Sequence, residues 1–245
     1  MSARATLGTA LRVLTQLRRD PRTLALLLLV PVLLLALLRY VYSDRPLVFD
    51  QVGGPLLALF PFITMFLVTS VAMLRERATG TLERLLTTPI GRGDLLVGYA
   101  LAFGSVAVVQ TALASGVALG LLGLDPAASP ALIVVLAVID ALLGMALGLF
   151  LSAFARTEFQ AVQFLPAFVL PQLLLCGLFA ARQTMAAPLR WASAAFPLTY
   201  AVDGMQQLTA SAAISGRLTR DIAVVAGASV LALALGAVTL RRKSS

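Results

Sequence analysis

Six long apolar stretches, separated by short polar segments, organise this 245-residue chain. They cover 23–38, 51–74, 95–124, 126–155 (interrupted by Asp140), 159–181 and 222–240. A hydrocarbon core about 30 Å thick is crossed by about 20 apolar residues in a helix. All but the first reach or approach that length unaided. The first reaches it by including Arg39, Tyr40, Val41 and Tyr42, with Arg39 snorkelling its charge to the interface. The pattern predicts an all-α, polytopic membrane protein with one transmembrane domain over 1–245. Its spans are expected at about 23–42, 53–74, 95–123, 130–154, 160–181 and 222–240.

The segments between the spans are also patterned. Residues 3–20 place Leu7, Leu11 and Leu14 on one side at helical spacing, with Arg4, Arg12, Arg18 and Arg19 on the others. This predicts a basic amphipathic helix lying in the membrane interface, against the alternative of a frayed leader. A short loop is expected over 44–50. The third and fourth runs contain Gly116-Val-Ala-Leu-Gly120 and Gly144-Met-Ala-Leu-Gly148, small residues four apart that let helices approach closely. The stretch 182–221 is too polar to span. Within it, 191–202 is uncharged and aromatic, with Pro197 in the middle. Two short helices dipping in and returning would fit this pattern, as would a loop resting on the headgroups through Trp191 and Tyr200.

Composition changes the picture only by exclusion. Sixty per cent hydrophobic residues and a mean hydropathy of +0.95 rule out an ordinary soluble domain. The net charge of +8 could suggest nucleic acid, but topology accounts for it. With six spans and both termini inside, the clusters Arg18-Arg19-Arg22, Arg75-Arg77-Arg84 and Arg241-Arg242-Lys243 all fall on the cytoplasmic side, as the positive-inside rule requires. No nucleic-acid partner is expected, and a cleaved signal peptide is not expected. There is no histidine, which removes the commonest general base and metal ligand. Lys243 follows Arg242, so the chain has no P-loop. Cys176 is alone, so disulfide and multi-Cys metal sites fail on count.

The segment after the second span carries the most information. It reads Arg75-Glu76-Arg77-Ala-Thr-Gly80-Thr81-Leu82-Glu83-Arg84-Leu85-Leu86-Thr-Thr-Pro89. The run from Thr81 to Leu86 predicts a short helix with Leu82, Leu85 and Leu86 on one face, entered at Gly80 and ended by Pro89. Residue type alone leaves a docking helix and a solvated loop equally open. The motifs Arg75-Glu76-Arg77, Gly80-Thr81-Leu82-Glu83 and Leu86-Thr87-Thr88-Pro89, with the later Phe196-Pro197-Leu198-Thr199-Tyr200, resemble the type-2 permease family of ABC transporters, of the daunorubicin-resistance exporter kind. The resemblance extends over essentially the whole chain. It implies a permease subunit of an ATP-driven exporter for a hydrophobic or amphipathic substrate, a drug or a lipid-like molecule.

The resemblance further implies that Arg75, Glu76, Arg77, Gly80, Thr81, Leu82, Glu83, Arg84, Leu86 and Pro89 form the coupling segment 75–90 that docks on a separate ABC ATPase subunit. ATP and Mg2+ would bind in that subunit and none in this chain. A second permease copy, or a related permease chain, would complete the pore among the membrane lipids. The 183–212 stretch would be the external re-entrant helical hairpin that closes the outer mouth, with Trp191, Phe196, Pro197 and Tyr200 as gate candidates. The bias toward Ala, Leu and Arg points to a bacterial cytoplasmic membrane. Asp140, at mid-span, is costly as an isolated charge. It reads either as a pathway carboxyl or as a packing carboxyl met by a group such as Gln110. Gln110, Gln163, Gln172, Thr64 and Thr69 are further pathway candidates, the last four each reading more readily as an interhelical hydrogen-bonding residue than as a specificity determinant. The alternative is an ion-coupled secondary transporter acting without an ATPase, for which repeats and several midplane charges would be expected.

Overall fold

The computed structural model describes residues 2–81 and 91–239, which form helices with no strand among them. Helix α1 (Ala3–Arg18) precedes α2 (Pro21–Val41), α3 (Pro46–Ala78), α4 (Arg92–Gly120) and α5 (Pro130–Leu151). A broken segment follows, made of α6 (Glu158–Phe164), a π-turn (Leu165–Val169) and α7 (Leu170–Leu175). Two shorter helices, α8 (Ala187–Ala195) and α9 (Pro197–Ala210), lead into α10 (Gly216–Thr239). Six of these segments are long and apolar enough to cross a membrane, as the hydrophobic pattern predicts.

Proline and side-chain caps set the starts. Pro21, Pro46, Pro130 and Pro197 each occupy the first helical position, where φ is preset and the missing N–H would have had no partner. Asp20 caps α2, accepting from Thr23 N at 3.2 Å and Thr23 Oγ1 at 2.6 Å. These bonds, that from the hydroxyl first, hold the Asp20 carboxyl below the usual range. Two expected boundaries are corrected. The loop expected over 44–50 is shorter, because Pro46 already starts α3. The span expected over 160–181 leaves helix at Leu175 and is not a continuous α-helix. Pro166 and Pro171 lack the N–H that would close the α-ladder. Gly177, at φ +95, then turns the chain.

The helices alternate between two ends of the bundle. One end holds α1, the start of α4 and the end of α3, because Asp94 accepts from Ser2 N and Arg12 meets Glu76. We call it the α1 face. The opposite face holds the start of α3 and the loop after α4, where Asp125 N donates to Asp50 Oδ1 at 3.1 Å. The same loop is tied to α9 by Ala127 N to Thr209 O and Ala128 N to Leu208 O, at 3.2 and 2.9 Å.

The centre is the pair α3 and α5, running side by side. Gly144 lies against the backbone of Phe62, and Gly148 against the backbone of Phe66 and the Thr69 hydroxyl, with no room for a Cβ at either. Thr69 Oγ1 is 2.7 Å from Met65 O and 3.2 Å from Met145 O across the interface. The other small-residue pair behaves differently, since Gly116 and Gly120 face open space. Helix α10 packs on α5, α9 on α3 and α10, and α1 on α4.

Gln110 joins three helices. Pro31 has no N–H to give Leu27 O, four residues earlier. Gln110 Nε2 supplies that hydrogen bond at 2.7 Å and lies 2.5 Å from Thr64 Oγ1. Gln110 is therefore occupied by α2 and α3, and the expectation that it meets Asp140 is corrected.

Replacing Gly148 by Ala forces the α3 and α5 backbones apart and is expected to cost about 1–3 kcal/mol, as overpacking does. Gly116→Ala, in open space, is expected to be neutral or to stabilise by up to about 1 kcal/mol through helix propensity. Thermal unfolding of both variants in one detergent makes the comparison. Equal losses would mean that the α3–α5 contact is not the tight one.

Candidate functional site

Three consecutive residues at the end of α3 point in three directions, about 100° apart. Arg75 Nε and Nη2 hold Glu158 Oε1 and Oε2, at the start of α6, at 2.8 and 3.1 Å. Glu76 accepts from Arg12 Nη1 on α1, at 3.0 Å to Oε1 and 3.3 Å to Oε2. Arg12 Nη2 reaches Tyr99 OH on α4 at 2.6 Å, and the guanidinium lies 5.7 Å from that ring's centroid. Arg77 Nη1 donates to Ser152 O, just past α5, at 3.2 Å. The end of α3 is thus fastened directly to α1, α6 and the turn after α5, and through Arg12 to α4. The Arg12–Glu76 pair is mostly enclosed, with side chains 27% and 12% exposed, whereas Arg75 and Glu158 are 60% and 54% exposed.

Glu76 and Arg75, read from sequence as docking residues, therefore have partners within the chain. Beyond them Thr79 Oγ1 and Thr81 Oγ1 are 2.9 Å apart, and Gly80 takes the left-handed conformation at φ +69. The expected short helix and its residues Leu82, Glu83, Arg84, Leu86 and Pro89 lie outside the described residues.

Beside this clamp is a cavity of about 650 Å3. Val13, Leu17, Val68, Ala72, Phe103 and Val162 make its walls apolar, while Asp20, Arg75, Glu76 and Tyr99 supply polar groups. An apolar cleft with a few polar groups suits a molecule of matching amphipathic character.

The four mid-span candidates are not gathered into one site. Asp140 is fully buried on α5, and neither carboxylate oxygen has a hydrogen-bond partner among the described residues. Gln172, also fully buried, donates to Phe168 O at 3.2 Å, while its Oε1 has no partner among the described residues. Gln163 is exposed on α6, and Gln110 is held between α2, α3 and α4. Thr64 and Thr69 serve interhelical hydrogen bonds, as read from sequence.

At the opposite face, α8 and α9 meet at Phe196, whose extended backbone caps α9 ahead of Pro197. Tyr200 OH donates to Ala194 O and Thr199 Oγ1 to Ser193 O, both at 2.8 Å, fixing the elbow. Trp191 is 78% exposed. Leu198 belongs to an apolar cluster with Leu59 and Phe62, while Leu208 O meets the loop at the face, so α9 runs from the interior to the surface. Two polar centres escaped the sequence reading. Asp94 accepts from Ser2 N at 3.0 Å and from Thr6 Oγ1 at 3.4 Å, pinning α1 to α4. Asp203 Oδ2 accepts from both Arg182 Nη1 at 2.7 Å and Arg217 Nη2 at 3.2 Å. The available signal was an acid inside the otherwise uncharged 191–210 run, which needs a cation from elsewhere.

With this geometry in hand, comparison with known proteins is informative. The family model described as "ABC-2 type transporter" matches residues 8–209. A protein of Escherichia coli strain K12 named probable multidrug ABC transporter permease YbhR is 31% identical over 122 residues, 50% of this chain and 33% of that protein. The same strain's probable multidrug ABC transporter permease YbhS is 26% identical over 178 residues, 72% of this chain and 47% of that protein. ABC transporter G family member 20 of Dictyostelium discoideum is 26% identical over 159 residues, 65% of this chain and 22% of that protein. The chain thus spans less than half the length of these relatives.

A double-mutant cycle tests the clamp. Arg12→Ala, Glu76→Ala and the double variant are expected to show a coupling of about 1–3 kcal/mol in unfolding free energy, because the pair is largely shielded from water. The same cycle on Arg75 and Glu158 is expected to give less than about 1 kcal/mol, as exposed pairs do. The assignment fails if the exposed pair couples as strongly as the enclosed one.

Proposed function

The chain belongs to the ABC-2 type transporter family, and we propose that it is the permease of an ATP-driven exporter whose ATPase is a separate subunit. As a member of that family it is a multi-pass membrane protein. ATP and Mg2+ are held by the partner, and this chain contributes the path. A second permease copy or a related chain packs against it; the apolar residues left exposed along α2 and α6, including Leu26, Leu33, Leu37, Phe159 and Val162, supply a surface for it or for lipid.

The observation that carries the reading is the clamp at the end of α3. The 75–90 segment begins within α3, and that end of α3 is fastened to α1, α6 and the turn after α5, with α4 held through Arg12. A displacement of the segment by a docked ATPase therefore moves several helices together. The amphipathic cavity next to the clamp changes shape with them. Differential affinity of the ATPase for the two arrangements supplies the driving force. A hydrophobic or amphipathic substrate enters the cavity from the α1 face, taken as cytoplasmic. The elbow at Phe196 and Pro197 is a re-entrant turn that closes the outer mouth, with Trp191 and Tyr200 beside it.

Co-purification in mild detergent is expected to bring down an ATP-hydrolysing subunit. Leu82→Asp with Leu86→Asp is expected to release it or to abolish substrate-stimulated hydrolysis, since buried apolar anchors carry most docking energy. Intact assembly and stimulation in that variant would remove the segment from the interface. Recovery of an active transporter with no ATPase would instead favour ion-coupled transport.

Sidedness is tested separately. Single cysteines at Ser2, Ser244 and within 182–221, in a Cys176→Ser background, are labelled from outside intact cells with an impermeant reagent. Labelling is expected only in 182–221. Labelling at Ser2 would invert the topology.

A further inference from the structure

Three arginines far apart in sequence converge at the opposite face, around a cavity of about 550 Å3 between the α7–α8 turn, α9 and the start of α10. They are Arg182, Arg190 and Arg217, and Asp203 is the one carboxylate in the lining. Asp203 is only 5% exposed, and a single oxygen, Oδ2, accepts from both Arg182 and Arg217. One negative charge therefore orients two guanidinium groups and leaves the cluster cationic. Arg182 Nε is buried without a hydrogen-bond partner among the described residues. Arg190 has no ion pair among them. Gln207 does not meet the arginines, because its Oε1 accepts from Ser215 Oγ at 2.8 Å while its amide donates to Asp203 O and Asp221 Oδ2.

Excess positive charge on clustered guanidinium groups, two of them oriented by Asp203, matches an anion with several acceptor oxygens, and arginine forks suit phosphate best among common anions. The surroundings are those of a membrane interface. Trp191 follows Arg190 and is 78% exposed, with Phe179 at 69% and Ile214 at 68% on the segments either side. Exposed aromatic and apolar groups beside a cationic pocket suit a phosphate carried on an apolar body. We infer that this cavity binds the phosphate group of an anionic phospholipid, with Arg182, Arg190 and Arg217 as its ligands and Asp203 as the residue that positions two of them. The site is independent of ATPase docking, so its failure would leave the exporter reading intact, and the converse holds.

Trp191 is the only tryptophan in the chain and is the direct reporter. The purified full-length protein, in zwitterionic micelles, is titrated with short-chain phosphatidylglycerol, short-chain phosphatidylcholine and inorganic phosphate while Trp191 fluorescence is followed. Phosphatidylglycerol is expected to give a saturable change that weakens with added salt. Arg190→Gln and Arg217→Gln are each expected to raise its apparent Kd about tenfold, the usual loss of a charge-assisted hydrogen bond. Arg45→Gln, on the same face outside the cavity, is expected to leave it unchanged. Inorganic phosphate that displaces phosphatidylglycerol at millimolar concentration supports the phosphate contact, and a weaker affinity than the lipid's identifies the lipid as the ligand. Equal affinity for both overturns the lipid assignment in favour of a soluble phosphate. An equal response to phosphatidylcholine, or insensitivity to salt in the unmodified chain, overturns the site without recourse to any variant.

Discussion

Backbone contact between α3 and α5 is the constraint on which the rest of the molecule depends. Within lipid, burying one apolar side chain against another gains little over leaving it in acyl chains. Association therefore rests on close van der Waals approach and on hydrogen bonds that lipid cannot supply. Gly144 and Gly148 provide the first, by letting the Phe62 and Phe66 backbone enter the groove of α5. Thr69 provides the second, through Met145 O. Once these two helices are fixed, α10 has a face of α5 to pack on, α9 has α3, and α4 closes the other side.

Polar interactions follow a different geography. Most lie at the two faces, where water or headgroups can complete them. At one face the arginines of α1 and α3 secure helix ends to one another. At the other, a loop and α9 are linked through main-chain hydrogen bonds. The polar groups of the interior differ in state. Gln110 makes good a proline's missing bond, while Asp140 has apolar neighbours such as Ala137, Ala141 and Leu143 on its own helix and no hydrogen-bond partner among the described residues.

The spans were legible because their signal is simple: length and apolarity decide whether a helix crosses a bilayer. Clustered arginines and the 75–90 motifs were legible for the same reason, being contiguous. What depends on tertiary placement was not. Gly116-x-x-x-Gly120 and Gly144-x-x-x-Gly148 read alike, yet only the second meets another backbone. Gln110 and Asp140 looked like natural partners because both are polar among apolar residues, but the acceptor exposed by Pro31 claims the amide. Asp203 lies 21 positions from Arg182, which the elbow at Phe196 brings to it, and 14 from Arg217, which returns through the turn after α9. Glu76 appeared available because its exposure depends on α1, which no local pattern places.

The π-turn in the fifth span has a geometric consequence. It holds one residue more than the α-turn it replaces, so the helix after it is rotated by about 100° relative to an unbroken one. Val169 faces inward as a result, and Phe168, in the position an uninterrupted helix would bury, is exposed. The outer surface of this span consequently has two phases, one along Glu158–Phe164 and another along Leu170–Leu175. A straight neighbouring helix can keep its ridges in register with only one half at a time.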